Sequence, residues 1–176
     1  MRGRPEVMFV RGRAAERLAG IVLLSVALAV APAAGAGLSL EPATACSLLD
    51  DQGIRTRDGY REAGRGLFRC ASTVQRWPPG NPTADTVRYA ATGDRGRVRQ
   101  LELEVSLHSR GDLRPVLQAF ARLADTLASA ALDRPLPLEA HRALRIGTPG
   151  TWEIDGTQVA LERITGAEPA LRFVIR

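Results

Sequence analysis

The clearest strand pattern in the chain lies near its middle. Between residues 97 and 108 apolar side chains alternate with polar ones, which is typical of a strand with one face in the core and one in water. Residues 86–92 alternate in the same way, and a turn rich in glycine at residues 93–96 lies between the two runs. The sequence therefore predicts a β-hairpin here.

A long amphipathic helix is predicted directly after this hairpin, at residues 112–132. Its apolar residues recur every three or four positions, so they lie on one helical face. They are Leu113, Val116, Leu117, Phe120, Leu123, Ala124, Leu127 and Ala131. Asp112 is a candidate N-cap, and Pro115 is tolerated in the first turn. We expect this face to pack against the apolar face of the strand at residues 97–108.

The remaining predicted elements are shorter. They are a helix at 41–52 ending at Gly53, a strand at 67–72, a helix at 138–146, a hairpin of 152–154 with 157–164, and a strand at 170–175. Residues 54–66 are polar and rich in glycine and carry no predicted strand, and the prolines in 77–82 predict a loop. The order α, β, β, β, α, α, β, β, β predicts a single α+β domain without an internal repeat. Its mostly antiparallel sheet is covered on one face by the long helix.

The N-terminal residues have the pattern of a secretory signal peptide. A head with five arginines precedes an uncharged apolar run, Pro32 interrupts that run, and small residues stand at Ala34 and Ala36. We expect cleavage after Ala36, which makes residues 1–36 the leader and 37–176 the mature domain, either periplasmic or extracellular. Two alternatives are an uncleaved membrane anchor, because the uncharged run continues to Leu40, and lipid modification of Cys46.

The charge of the chain gives little support for nucleic-acid binding. The formal net charge is +5, but five arginines and two glutamates of the leader account for most of it, which leaves about +2 for the mature domain. The chain contains no lysine, so its high isoelectric point reflects arginine, and this composition indicates a GC-rich bacterial genome. A nucleic-acid groove would also need aromatic residues interleaved with the arginines, and few are present.

Both cysteines fall in the predicted mature domain. Two thiols in an oxidising compartment normally pair, so we expect a disulfide between Cys46 and Cys70 that joins the first helix to the first strand. The absence of a Cys-x-x-Cys motif argues against a redox role. A zinc site would have to combine these cysteines with His108 and His141 from four distant segments, so no metal or cofactor is expected.

An arginine-rich strand start and a tryptophan are the candidate binding residues. Arg95, Arg97 and Arg99 are two residues apart, so strand geometry would place them on one face, where they could hold a phosphate, a sulfate or an acidic sugar. Trp77 lies in a loop stiffened by prolines and is either a recognition residue or a plug at the edge of the core. Trp152, at the start of a predicted hairpin, is expected in the core.

Candidate catalytic residues are few. His108 and His141 are the only histidines, and neither lies in a recognisable catalytic motif. Glu102 and Glu104 share a strand face and could form a carboxylate pair. These residues define the alternative function, a small envelope hydrolase that uses His108 or the Glu102/Glu104 face.

The main hypothesis is a non-catalytic binding or accessory protein of the bacterial cell envelope. Its expected partner is another envelope protein or envelope component, with no contact to nucleic acid and none to the membrane after cleavage of the leader. A third possibility is an assembly or stress accessory that an uncleaved leader holds at the inner membrane.

Overall fold

The computed structural model describes residues 38, 40–80, 85–108 and 111–176. The predicted leader at residues 1–36 and its cleavage site lie outside the described residues, as does part of the predicted proline-rich loop. The described residues belong to one compact unit. None of the helices in this part of the chain is long and apolar enough to cross a bilayer.

The chain forms an antiparallel sheet with a few helices, as its hydrophobic pattern predicts. The helices are α1 (Pro42–Ser47), α2 (Arg114–Leu132) and α3 (Leu138–Ile146), with a 3-10 turn at Asp50–Gln52. The strands are β1 (Thr56–Gly64), β2 (Leu67–Ser72), β3 (Gln75–Arg76), β4 (Thr86–Asp94), β5 (Arg97–Ser106), β6 (Gly150–Ile154), β7 (Thr157–Ile164) and β8 (Ala170–Ile175). The predicted hairpins, the helix at 138–146 and the last strand are therefore confirmed.

The sheet is ordered β1-β2-β4-β5-β8-β7-β6, and the short β3 pairs with β4. Its centre is the antiparallel pair β5/β8, in which Leu103 lies opposite Phe173. In the first half of the chain, α1 precedes the antiparallel strands β1 to β5, and in the second half α2 and α3 precede β6 to β8. In both halves the last strand, β5 or β8, lies at the centre of the sheet. The two halves thus have an approximate two-fold relation in topology that no repeat in the sequence reveals.

One face of the sheet carries the hydrophobic core. The alternating residues of β4, β5, β7 and β8 are buried there, with Tyr89, Leu103 and Phe173 fully inaccessible. The apolar stripe predicted on α2 is also buried, and its residues belong to the same hydrophobic cluster as those of the strands. Removal of this apolar area from water is the dominant stabilising contribution.

Three predicted elements differ from the structure. The 54–66 segment contains a strand, β1, at the edge of the sheet. Both of its faces are largely exposed to solvent and its register is irregular near Asp58, so its apolar and polar residues do not alternate. The first helix is shorter than predicted, since α1 ends at Ser47, although Gly53 terminates the following turn in the left-handed conformation. The helix α2 begins at Arg114, two residues later than predicted, but Oδ1 of Asp112 accepts a hydrogen bond from the backbone amide of Arg114 at 3.0 Å, so the capping contact predicted for Asp112 is present.

The predicted disulfide between Cys46 and Cys70 is present and joins α1 to β2, with 5.9 Å between the two Cα atoms. A second tie lies beside it, since the buried Tyr89 hydroxyl of β4 donates a hydrogen bond to the carbonyl oxygen of Ala45. Burial raises the pKa of the Tyr89 hydroxyl, which keeps it protonated as a donor. The N-terminal helix is thereby fixed to the sheet at two adjacent points.

Candidate functional site

Two hairpin turns lie next to each other at one end of the sheet. The β1–β2 turn carries Arg65 and the β4–β5 turn carries Arg95, and they are neighbours because β2 pairs with β4, with Phe68 opposite Gly93. Arg97 begins β5 at the same end. These three arginines are exposed. We call Arg65, Arg95, Arg97 and Phe68 the arginine end.

An aromatic pair supports the arginine end. The Arg95 guanidinium lies 5.9 Å from the centroid of the Phe68 ring, and the Phe68 ring stacks on Tyr60 with 5.9 Å between centroids. The Tyr60 hydroxyl donates to the carbonyl oxygen of Arg97 at 3.2 Å. A Cβ atom at Gly93 would collide with that same carbonyl oxygen, so the close approach of the chains requires glycine there. A cation over a ring is attracted by the negative face of the ring, and this restricts Arg95 before any partner binds.

The third arginine of the predicted cluster has a different role. Arg99 donates from Nε and Nη2 to Oδ2 of Asp94 at 3.0 and 2.8 Å, and the Gly96 amide donates to Oδ1 of Asp94 at 3.2 Å. The hydrogen bonds from Arg99, followed by that from Gly96, lower the pKa of the Asp94 carboxyl. Arg99 therefore holds the turn in shape, whereas Arg95 and Arg97 have no carboxylate within ion-pair distance among the described residues.

Strand geometry does not align the three arginines on one face. Arg95 lies in the turn, and a register shift after Thr92 leaves an extra residue at Arg99 in the pairing of β4 with β5. The buried positions on either side, Val98 and Leu101, are consequently three residues apart instead of two. The arginines come close to one end of the sheet because of the turn and the bulge.

Trp77 is not part of this surface. Its side chain is 9% exposed and belongs to the hydrophobic core, and its backbone amide donates to the carbonyl oxygen of Asp85 beside the start of β4. The arginines lie at the other end of β4, about 26 Å away at about 3.3 Å per residue. Trp152 is half-buried, lies opposite Val159 across the hairpin and packs over Gly150 at the border of the core, so it is less buried than predicted.

The predicted carboxylate pair lies on the face of the sheet opposite the core. In β5, Glu104 accepts a hydrogen bond from Arg88 at 3.0 Å and two from Arg172 at 2.9 and 3.0 Å. Arg88, Glu104, Arg172 and Glu162 are cross-strand partners, so charges of alternating sign run over four strands. Glu102 lies beside this row, 3.4 Å from the Nε atom of Arg172. The pair is thus part of a charge ladder.

The two arginines determine the protonation state of Glu104. Burial acts to raise the pKa of this carboxyl, but the hydrogen bonds and charges of Arg88 and Arg172 outweigh burial and lower the pKa. A general acid needs a raised pKa so that it carries a proton near neutral pH. Glu104 instead stays ionised between its two arginines, so it is suited to a structural role and not to general-acid catalysis.

The two histidines lie on different elements and in different environments. His108 is exposed just beyond β5, and its backbone amide donates to Oδ1 of Asp85 at 2.7 Å. His141 lies on α3 with its Nε2 atom 3.3 Å from Oδ1 of Asp125 on α2. This contact borders a cleft of about 260 Å³ between the two helices, lined by Gln118, Ala121, Arg122, Asp125, His141 and Arg145.

The helical cleft was not identified from the sequence, although a signal for it exists. Gln118, Arg122 and Asp125 are separated by four and three residues, which places them in one row along α2. His141 and Arg145 are four residues apart along α3. Each row alone resembles a solvated helix face, and only the packing of α2 against α3 makes them opposite walls of one cleft.

Comparisons with known proteins add no assignment to these surfaces. No family model, curated protein or solved structure significantly matches the chain. In the part of the chain that the structure describes, no group of three or more His, Cys, Asp and Glu side chains could hold a metal ion. The function must therefore be argued from the side chains themselves.

Proposed function

We propose that this chain is an exported bacterial protein of the cell envelope that binds another envelope protein and is not an enzyme. The observation that carries the proposal is the arginine end, where Arg95 is held over Phe68 and Arg97 lies next to it without a carboxylate partner among the described residues. The binding surface is this end of the sheet. Its partner is a protein with an acidic contact surface.

The composition of the arginine end favours a protein partner. Arginine and aromatic residues dominate the energetically important positions of protein–protein interfaces, and here Arg95 lies over Phe68, which stacks on Tyr60. Because this stacking already restricts Arg95, its guanidinium loses less conformational freedom when it pairs with a carboxylate. Guanidinium groups bind carboxylates in two-point geometry, which matches an aspartate or glutamate of the partner.

A second pair of arginines extends the positive charge at this end. Arg61 and Arg69 lie directly opposite each other on β1 and β2, and like charges in that position repel. Asp58 pairs with Arg61 at 2.7 Å, whereas Nε of Arg69 is buried without a hydrogen-bond partner in the described part of the chain. Asp58 already offsets the charge of Arg61, so Arg69 is the residue that adds positive charge next to the arginine end, and this favours an acidic surface as the ligand.

Export and cleavage of the leader belong to the same proposal. The disulfide between Cys46 and Cys70 supports an oxidising compartment, either the periplasm or the medium. We also propose that α2 covers the core face of the sheet, since its buried side chains share one hydrophobic cluster with those of the strands. That arrangement leaves the ladder of Arg88, Glu104 and Arg172 on the uncovered face.

The proposal is tested with the mature, disulfide-bonded protein immobilised and exposed to envelope extract. Captured proteins are identified by mass spectrometry, and binding is then measured with the purified partner. The double variant Arg95→Gln/Arg97→Gln should bind the partner at least about tenfold more weakly, since charged contacts are removed from the interface. Arg142→Gln is the matched control, because Arg142 is an exposed arginine on α3, away from the arginine end.

Three outcomes would contradict the proposal. Equal retention of the partner by both variants would remove the arginine end from the interface. Binding to anionic vesicles in place of any protein would replace the protein partner by a membrane surface. An activity of the purified protein that is lost only in His108→Ala or in Glu104→Gln would move the hydrolase alternative into first place.

A further inference from the structure

The cleft between α2 and α3 is a second concentration of donors, on a different part of the molecule from the arginine end. It is open to solvent, and its floor is formed by the buried Ala121. A volume of about 260 Å³ is enough for a tetrahedral oxyanion and several waters. Its position is independent of the surface assigned to partner binding.

The cleft contains more hydrogen-bond donors and positive charges than negative charges. Arg122 on α2 and Arg145 on α3 line opposite walls, and neither has a carboxylate within ion-pair distance in the described residues. Gln118 and His141 add further donors on the two helices. Two unpaired guanidinium groups that face one cleft favour a ligand with negatively charged oxygens.

Asp125 adds a more specific requirement. Its Oδ1 atom lies 3.3 Å from Nε2 of His141, but this contact lacks hydrogen-bond geometry, so the buried oxygen has no hydrogen-bond partner among the described residues. The Asp125 side chain is 41% exposed, so its carboxylate can accept a hydrogen bond from a ligand in the cleft, whereas a bare anionic oxygen beside it would be repelled. A ligand that fills the cleft should therefore carry a proton toward Asp125 as well as charge toward the arginines.

We propose that this cleft binds a small oxyanion that retains a proton at neutral pH, namely inorganic hydrogen phosphate. Arg122 and Arg145 bind the charged oxygens, and the P–OH group donates a hydrogen bond to Asp125. Sulfate has a similar size and shape but carries no proton at neutral pH. Sulfate therefore places a bare oxygen against the Asp125 carboxylate, and the site should reject it. This discrimination separates the proposed site from a nonspecific positive patch.

Calorimetric titration of the mature protein with inorganic phosphate and with sulfate tests the proposal directly. Phosphate should bind with a Kd of about 1 mM or lower and at least about tenfold more tightly than sulfate. Arg122→Gln and Arg145→Gln should each weaken phosphate binding by about tenfold or more, whereas Arg142→Gln on the same helix as Arg145 should leave it unchanged. All three arginines are exposed, so these variants should fold normally.

Asp125→Asn provides the sharpest test. Removal of the carboxylate should allow sulfate to bind and bring the ratio of the two affinities close to one. No phosphate binding to the wild-type protein at millimolar concentration would overturn the proposal. Equal affinity of the wild type for phosphate and sulfate would overturn it as well, as would equal loss of binding in Arg142→Gln. A phosphate monoester has a second pKa of about 6 and is mostly the unprotonated dianion at neutral pH, so it should bind more weakly than inorganic phosphate, and equally tight binding of the monoester would overturn the role of Asp125 as acceptor. None of these outcomes depends on the arginine end, so this proposal can fail while the proposed function stands.

Discussion

Substitution of Phe120 by alanine tests the packing of α2 on the sheet. Phe120 is fully buried on α2 and belongs to the hydrophobic cluster of the strands. Burial of an aromatic side chain removes about 150 to 250 Å² from water, which at about 25 cal/mol per Å² contributes about 4 to 6 kcal/mol. Alanine keeps the Cβ atom and the cavity partly relaxes, so Phe120→Ala should reduce the free energy of unfolding by about 3 to 5 kcal/mol.

The change is measured by urea unfolding of the mature, disulfide-bonded protein, followed by circular dichroism. Arg122→Ala is the control on the same helix, because this side chain is exposed, and its cost should stay within about 0.5 kcal/mol. In a domain of this size the loss at Phe120 should also lower Tm by about 10 °C. Similar costs at the two positions would show that the buried face of α2 has been misassigned.

A double-mutant cycle then asks what Phe120 packs against. Leu103 is a fully buried residue of β5 in the same cluster and a predicted contact of the helix. If α2 covers the core face of the sheet, Phe120→Ala combined with Leu103→Ala should show a coupling energy above about 0.5 kcal/mol. Strictly additive losses would contradict the proposed position of α2.

The remaining predictions concern the leader, the disulfide and the charge ladder. Intact-mass analysis of exported protein should find Gly37 at the N-terminus, and a mature species that retains residues 18–31 would favour an anchor. Replacement of Cys46 and Cys70 by alanine should lower the free energy of unfolding by about 3 to 4 kcal/mol in urea, and an unchanged midpoint would contradict the role of the crosslink. Because the pKa of Glu104 is lowered in the folded state, its stabilising contribution is present above about pH 4.3, the unfolded value, and is lost as the pH falls through the folded pKa. Acid titrations of stability should therefore fall less steeply for Glu104→Gln than for the wild type, and identical slopes would count against the ladder.

The parts of the fold that the sequence predicts are those with one buried face. In β5, Leu101, Leu103 and Val105 alternate with polar residues because one side packs in the core, and α2 shows the helical equivalent around Phe120. The disulfide was predictable for another reason, since two cysteines behind a predicted export signal have few other fates. These periodic patterns involve residues close together in the chain, so they can be recognised in a single sequence.

The edge strand β1 shows where such patterns disappear. Most of its residues are exposed, so its apolar side chains do not alternate, and Asp58 and Gly59 adopt positive φ values that interrupt regular pairing. The strand exists because β2 offers it a ladder of hydrogen bonds. Long-range pairing of this kind leaves no periodic trace in the sequence, and the same holds for the approximate two-fold relation of the two halves.

The candidate surfaces were predictable only in part, for the same physical reason. The sequence identifies Arg95, Arg97 and Arg99 as a cluster, but their environments differ because Asp94 neutralises Arg99 while Phe68, from another hairpin, supports Arg95. Phe68 is 27 positions earlier in the chain, and only the pairing of β2 with β4 brings it beside Arg95. The role of each arginine therefore depends on the neighbouring side chains that neutralise its charge or fix its orientation.

The neighbouring side chains also distinguish the arginines that stabilise the fold from the arginines that are available to bind a ligand. The chain after the predicted leader has a small net charge, so its overall field cannot draw an anionic partner strongly, and the local arrangement must decide where anions bind. Along the ladder each guanidinium of Arg88 and Arg172 meets a carboxylate, so these charges are already paired. At the arginine end and in the helical cleft, neighbouring guanidinium groups lack such carboxylates among the described residues. A partner or an oxyanion gains most where no carboxylate of the protein pairs with the guanidinium groups, and both proposals follow from that difference.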